Sequence, residues 1–298
     1  MISVIGAGKV GSAIGFLIAS TSLDDLVLVN HNKNRAIGEA LDITNAVPKG
    51  STISVTGTDD YELTRDSKVI VIAASRGKIA VSRTDLLADN VSLIREIVNN
   101  IKKHNDDTKI IVVTNPLDVI TYFTLKETQF SRKNVIGMGS SLDSSRFRYL
   151  LAKTLGVNQS KIEGIVIGEH GDSMVPIFSS ARYDGKPISN MLDQIKVQKI
   201  TTELRNYWIL LKTFKDASVF GAAKNTFDLI KAIIYDEKLQ VPASILLDGE
   251  YGLSNVCLGV PVIIGKNGVD KINEIELDKS ELHALVDSSR VVQNNIKI

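Results

Sequence analysis

In the first half of the chain, hydrophobic positions fall in short, nearly continuous runs, at residues 2–5, 26–29, 52–55, 68–72, 109–113 and 134–138. Most of the stretches between them have helical period. Ile14, Leu17 and Ile18 mark one helix, and Leu86, Leu87, Ile94, Ile97, Val98 and Ile101 mark the longest. Pro116 sits where a first helical turn tolerates proline, ahead of Val119, Ile120 and Phe123. Strands that are apolar throughout, without alternation, are buried on both faces, so alternation with helices predicts a parallel sheet covered on both sides. From about residue 142 the pattern changes. A helix over 143–155 leads to a short strand at 165–167, then to helical stretches between 197 and 235, a strand at 261–265 and a last helix over 278–294. The chain therefore divides into 1–141, a doubly wound parallel α/β domain of the Rossmann kind, and 142–298, an α+β domain packed directly on it.

The first apolar run leads into Gly6-Ala7-Gly8-Lys9-Val10-Gly11 and then a helix. In this spacing the first glycine makes a tight turn, the second lets the backbone approach a pyrophosphate and the third lets helix and strand pack closely. The second run ends at Asn30 and His31, where such a fold reads the adenosine ribose. Ala73, closing the fourth run, falls on the same edge.

Composition narrows the partners. With 298 residues, 44% hydrophobic and 23% charged, the chain has the makings of an ordinary globular protein with ample core. Its 35 basic and 34 acidic residues leave a net charge of +1, which carries no polyanion-binding signature, so nucleic acid is not an expected partner. The single cysteine, Cys257, excludes an intrachain disulfide, and no Cys/His cluster has metal-ligand spacing. No apolar run has the length of a membrane span and no signal-peptide pattern opens the chain, so the cytoplasm is the expected compartment.

Several polar residues fall just beyond strand ends, where this fold places its ligands: Arg76 and Arg83 after the fourth run, Asn115 after the fifth, Asp143 and Arg146 after the sixth. The stretch 75–80 has neither helical nor strand period, which suits a lid. His170 stands between glycines in Gly168-Glu169-His170-Gly171, at the end of the apolar run Ile165-Val166-Ile167. Imidazole both gives and takes a proton near neutral pH, and the glycines leave room for a substrate beside the ring.

Taken together, these motifs resemble the lactate/malate dehydrogenase family, and most closely its archaeal, lactate-dehydrogenase-like malate dehydrogenase branch. The resemblance spans nearly the whole chain. It rests on the glycine motif, Ser82-Arg83-Thr84-Asp85-Leu86 with Asn90, Val113-Thr114-Asn115-Pro116, Leu142-Asp143-Ser144-Ser145-Arg146 and Ile167-Gly168-Glu169-His170-Gly171-Asp172-Ser173. It implies that His170 exchanges a proton with the substrate oxygen, that Asp143 pairs with its other ring nitrogen and that Arg146 holds the substrate carboxylate. It also implies that Arg83, on the lid, polarises the carbonyl and that Asn115 hydrogen-bonds the substrate. Val113, Asn115 and Asn90 would lie along the cofactor, and Ser218 matches a hydroxyl position on the pocket wall.

Two positions depart from the family pattern. Oxaloacetate users usually carry arginine where this chain has Gly77, so the distal carboxylate would fall to Arg76, one residue earlier, or to Lys78. NAD users generally carry Asp where this chain has Asn30, and His31, Lys33 and Arg35 follow closely, so use of both NAD and NADP is expected. The resemblance implies reversible hydride transfer between NAD(P) and malate/oxaloacetate by a homodimer or homotetramer, with no metal. The rivals are lactate/pyruvate chemistry, a family 4 glycosidase, which would want ligating Cys and His, and a non-catalytic dinucleotide-sensing module, which would want the His or its Asp partner lost.

Overall fold

In a computed structural model of the chain, the structure describes residues 1–76, 83–215 and 217–297, with backbone alone at 83–86. Gly77 and Lys78, and with them most of the stretch read as a lid, lie outside the described residues, as does the side chain of Arg83.

The first half alternates β1 (Ile2–Ile5), α1 (Lys9–Ser20), β2 (Leu26–Val29), α2 (Lys33–Thr44), β3 (Val55–Thr58), β4 (Val69–Ile72), α3 (Arg83–Lys102), β5 (Lys109–Val112), α4 (Leu117–Thr128) and β6 (Val135–Gly137). All residues of β1, β2 and β4 are buried, as expected for strands with helices on both faces. These six strands are parallel, in the spatial order β3, β2, β1, β4, β5, β6. The order reverses between β1 and β4. That is where a doubly wound sheet opens a crevice for its ligand.

The apolar pattern predicts the third strand at 52–55, and the structure sets it at Val55–Thr58. The shift follows from packing. A Cβ on Gly57 would run into the backbone oxygen of Ala36, so α2 rests on the strand where the side chain is missing. The helix expected from Asp143 begins instead at Gly139, as α5 (Gly139–Leu155). A Cβ on Gly139 would lie 2.5 Å from His170 Cγ, so the first turn is built from a residue that leaves the imidazole its place.

The second half continues with five two-residue strands, β7 (Ile162–Glu163), β8 (Val166–Ile167), β9 (Val175–Pro176), β10 (Arg182–Tyr183) and β11 (Lys186–Pro187). Helices α6 (Gln194–Arg205), α7 (Tyr207–Phe214) and α8 (Phe220–Tyr235) follow, then β12 (Leu239–Asp248), β13 (Ser254–Gly265), β14 (Gly268–Ile272) and α9 (Lys279–Asn295). The last three strands do not stand apart from the first sheet. β12 runs antiparallel to β6, with Ser244 opposite Gly137, and β13 and β14 extend the same sheet to nine strands among the described residues. α5 joins the two halves of the core. Its Leu142 is buried with the main sheet, while Phe147, Leu150 and Leu151 form a second cluster with Ile162, Ile200 and Leu204. Among the described residues, no helix is long and apolar enough to cross a membrane.

Candidate active site

The first two turns of α5 place Asp143 and Arg146 on one side of the helix, three residues apart. Asp143 is fully buried and uses both oxygens: His170 Nδ1 lies 2.6 Å from Oδ2, and Arg146 Nη1 donates to Oδ1 at 3.1 Å. A buried carboxylate needs such partners, since an unpaired charge there is expensive. Burial alone would lower the pKa of His170, but the charge and hydrogen bond of Asp143 outweigh it and hold the ring above the ordinary histidine range. With Nδ1 taken by the carboxylate, Nε2 is the nitrogen left for a ligand.

The backbone carrying His170 is fixed from three directions. Gly168 exchanges two hydrogen bonds with Gly259 of β13, at 2.9 and 3.0 Å. Glu169 N donates to Ser288 Oγ of α9 at 2.8 Å, while Ser173 Oγ donates to the Glu169 carboxylate. His170 N itself donates to Asp118 Oδ2 at 2.7 Å, and Ser244 Oγ donates to Asp118 Oδ1 at 2.6 Å. Asp118 thus links α4, β12 and the His170 turn. Burial raises its pKa to about 6, against the hydrogen bonds from Ser244 and His170 and the charge of His170.

Arg146, with only 10% of its side chain exposed, is held on its other sides as well. Nη2 donates to Ser218 Oγ at 3.4 Å, and the guanidinium carbon lies 5.2 Å from the centre of the Tyr207 ring. The structure therefore gathers His170, Asp143, Arg146 and Ser218 into one cluster. Arg76 pairs instead with Glu96, Nη2 to Oε2 3.4 Å.

Of the cofactor residues expected from sequence, Gly6, Gly8, Asn30, His31 and Ala73 line one crevice beside β1. Gly6 has φ +104°, and a Cβ there would lie 2.6 Å from Ala74 N, while a Cβ on Gly11 would run into Gly6 O. At Gly8 a Cβ would meet nothing within 4 Å, so the backbone is open to approach. Gly8 also caps α1 without a side-chain hydrogen bond, which leaves helix N–H groups for an anion. A cavity of about 780 Å³ runs past Gly6, Gly8, Asn30, His31 and Ala73. Ala7 is buried and Val10 packs on the core, so these two serve the fold and offer a ligand only their backbone; Lys9 is exposed. These residues fit a dinucleotide. Val113 is half-buried and Asn115 exposed beyond β5. Asn90 is buried, and its amide ties two loops, donating to Asn115 O at 2.8 Å and accepting from Arg76 N at 3.4 Å.

Comparison with known proteins agrees with this geometry. The family model for the lactate/malate dehydrogenase NAD-binding domain matches residues 1–137, and that for the lactate/malate dehydrogenase alpha/beta C-terminal domain matches 140–298. The chain belongs to the lactate/malate dehydrogenase family. Malate dehydrogenase of Staphylococcus carnosus is 38% identical over 99% of this chain and 98% of its own. Among solved members of the family, the malate dehydrogenase of Aeropyrum pernix superposes with a TM-score of 0.93 at 30% identity, covering 100% of this chain and 98% of that one. The lactate dehydrogenase of Cryptosporidium parvum, solved with lactic acid and nicotinamide adenine dinucleotide, gives 0.95 at 35% identity, covering 99% and 96%. Family membership brings a nicotinamide-dependent oxidoreductase fold with an NAD-binding first half.

Sequence reading passed over Asp118, Ser244, Ser288 and Tyr207. For Asp118 a signal was present: an acid between Leu117 and Val119 in the first turn of a helix, directly after Asn115-Pro116 on the ligand edge. Ser288 and Tyr207 lie far along the chain from the turn and helix they touch and carry no local signal.

Proposed function

We propose that this chain interconverts malate and oxaloacetate with NAD or NADP, residues 1–141 holding the dinucleotide and 142–298 the substrate. The observation that carries the reading is one buried carboxylate, Asp143, shared between an imidazole and a guanidinium. Arg146 offers a planar fork for the substrate carboxylate, steadied by Asp143, Ser218 and Tyr207. His170 Nε2 takes the proton of the 2-hydroxyl in oxidation and returns it to the 2-oxo oxygen in reduction, because Asp143 fixes the tautomer with Nδ1 protonated. Bound nicotinamide supplies the hydride acceptor or donor. Arg83 would polarise the carbonyl and Asn115 would hydrogen-bond the substrate.

Malate is preferred to lactate as the substrate because Arg76 or Lys78 can answer a distal carboxylate, and because relatives in Staphylococcus carnosus and Staphylococcus saprophyticus, 38% and 36% identical, bear the name malate dehydrogenase. Bacterial and archaeal relatives stand side by side, so the archaeal branch carries no separate weight. Lactate is the second reading: Arg76 pairs with Glu96, and in that position it does not answer a distal carboxylate. Cytoplasmic location and a homodimer or homotetramer complete the proposal. Exposed Leu41 and Phe220 support an oligomer.

Replacing His170 tests the chemistry. His170→Asn should abolish turnover in both directions while NADH still binds, because the proton-exchanging group is lost and the crevice beside β1 is untouched. Activity within tenfold of the parent would remove His170 from the reaction.

A further inference from the structure

Asn30 stands where a carboxylate would discriminate between the two dinucleotides, and its amide is fixed. The backbone N–H of Asn32 donates to Asn30 Oδ1 at 2.9 Å, so the oxygen is committed to the turn and the nitrogen end is what the amide offers the cavity. No negative charge comes from the end of β2. One does come from the neighbouring strand. Asn30 N donates to Thr58 O at 3.0 Å, which sets the end of β3 beside Asn30, and Asp59 follows Thr58 on the wall of the same cavity. Asp60 is already engaged, since its Oδ1 accepts from Glu62 N at 2.8 Å to cap the turn at Tyr61–Thr64. Asp59 pairs instead with Lys33 in the first turn of α2, Oδ1 to Nζ 3.3 Å. The close seat of α2 on β3 at Gly57 brings the two together.

We propose that Asp59 is a specificity-determining residue of the cofactor site: it holds Lys33 away from a 2′-phosphate and restores, at the end of β3, the negative charge that the end of β2 lacks. The inference rests on reading the crevice as the dinucleotide site. A phosphate on the ribose beside Asn30 meets His31 and Arg35, which line the cavity, and is opposed by Asp59. Lys33 becomes an attractive contact only once Asp59 releases it. Both members of the pair are well exposed, at 61% and 45%, so water and salt screen them and the bias is several-fold.

The test is direct titration with NADH and with NADPH at low salt, without substrate, reading dissociation constants from the fluorescence of the reduced nicotinamide. Asp59→Asn should tighten NADPH relative to NADH by about three- to tenfold. Lys33→Gln alone should move that ratio by less than about twofold, and adding it to Asp59→Asn should reduce the gain. An unchanged ratio in Asp59→Asn, or a gain that Lys33→Gln does not reduce, overturns the proposal. Because no substrate is present, these outcomes are independent of which 2-oxo acid is turned over. A parent protein that bound neither dinucleotide would overturn the reading of the crevice and this inference with it.

Discussion

Asp143 Oδ2 lies 2.6 Å from His170 Nδ1, and the carboxylate that makes this contact has no exposure to water. The pairing favours imidazolium, so in the reductive direction the proton donor persists to higher pH than a free histidine allows. Asp143→Asn removes the charge and lowers the pKa of His170. The alkaline limb of kcat/KM for 2-oxo acid reduction should move to lower pH, with a loss of roughly a hundredfold or more at the optimum. A pH profile between about pH 5 and 9 checks it. A limb that stays in place would separate Asp143 from the proton transfer.

Arg146→Lys should act on substrate binding. An ammonium has neither the planar fork nor the reach to keep Asp143 Oδ1, Ser218 and a substrate carboxylate at once. Loss of a buried, charged hydrogen-bonding partner costs about 2–5 kcal/mol, which should show in KM and kcat/KM while NADH affinity stays near the parent value. Steady-state kinetics with the 2-oxo acid, read beside NADH titration, measures both. Unchanged KM and kcat would place the carboxylate elsewhere.

Asp118 makes a prediction about stability. Its folded pKa of about 6 lies above the ordinary carboxylate value of 3.8, so the native state binds the proton more tightly than the unfolded chain does. The sign follows from linkage: this group's contribution is greatest below about pH 4 and is lost as pH rises through about 6. Relative to Asp118→Asn, which has no proton to bind there, the parent should gain stability on going from pH 7 to pH 5, by on the order of 1 kcal/mol. His170, Glu169 and Cys257 are the other titratable groups that sense this carboxylate, and all are retained in the variant. Urea unfolding at the two pH values gives the difference. A gap that does not change with pH, or that changes in the opposite sense, would contradict the assignment.

The parallel half of the fold was legible because most of its strands are nearly continuous apolar runs and its glycine turn is a local pattern. The shift of β3 was not, because Gly57 is chosen by α2, an element elsewhere in the chain. β12 was also hidden: Pro242 interrupts its apolar run, and a proline within a run argues against a strand. It is accommodated because β12 pairs with β6 only at Ser244. At the site, His170, Asp143 and Arg146 could be read from sequence because each lies in a motif at a strand end. Asp118 and Ser288 could not be read as its supports, because their roles exist only once α4 and α9 meet the His170 turn. Arg76 was legible as a cation on the ligand edge, but its pairing with Glu96 depends on how α3 packs.

The most direct test of the account is a crossed assay of the purified protein, oxaloacetate and pyruvate each with NADH and with NADPH. Oxaloacetate should be favoured over pyruvate by at least about a hundredfold in kcat/KM, the scale of leaving one charged contact unmade, and both dinucleotides should support turnover. Equal use of the two 2-oxo acids, or a preference for pyruvate, would contradict the malate reading and leave the lactate one standing.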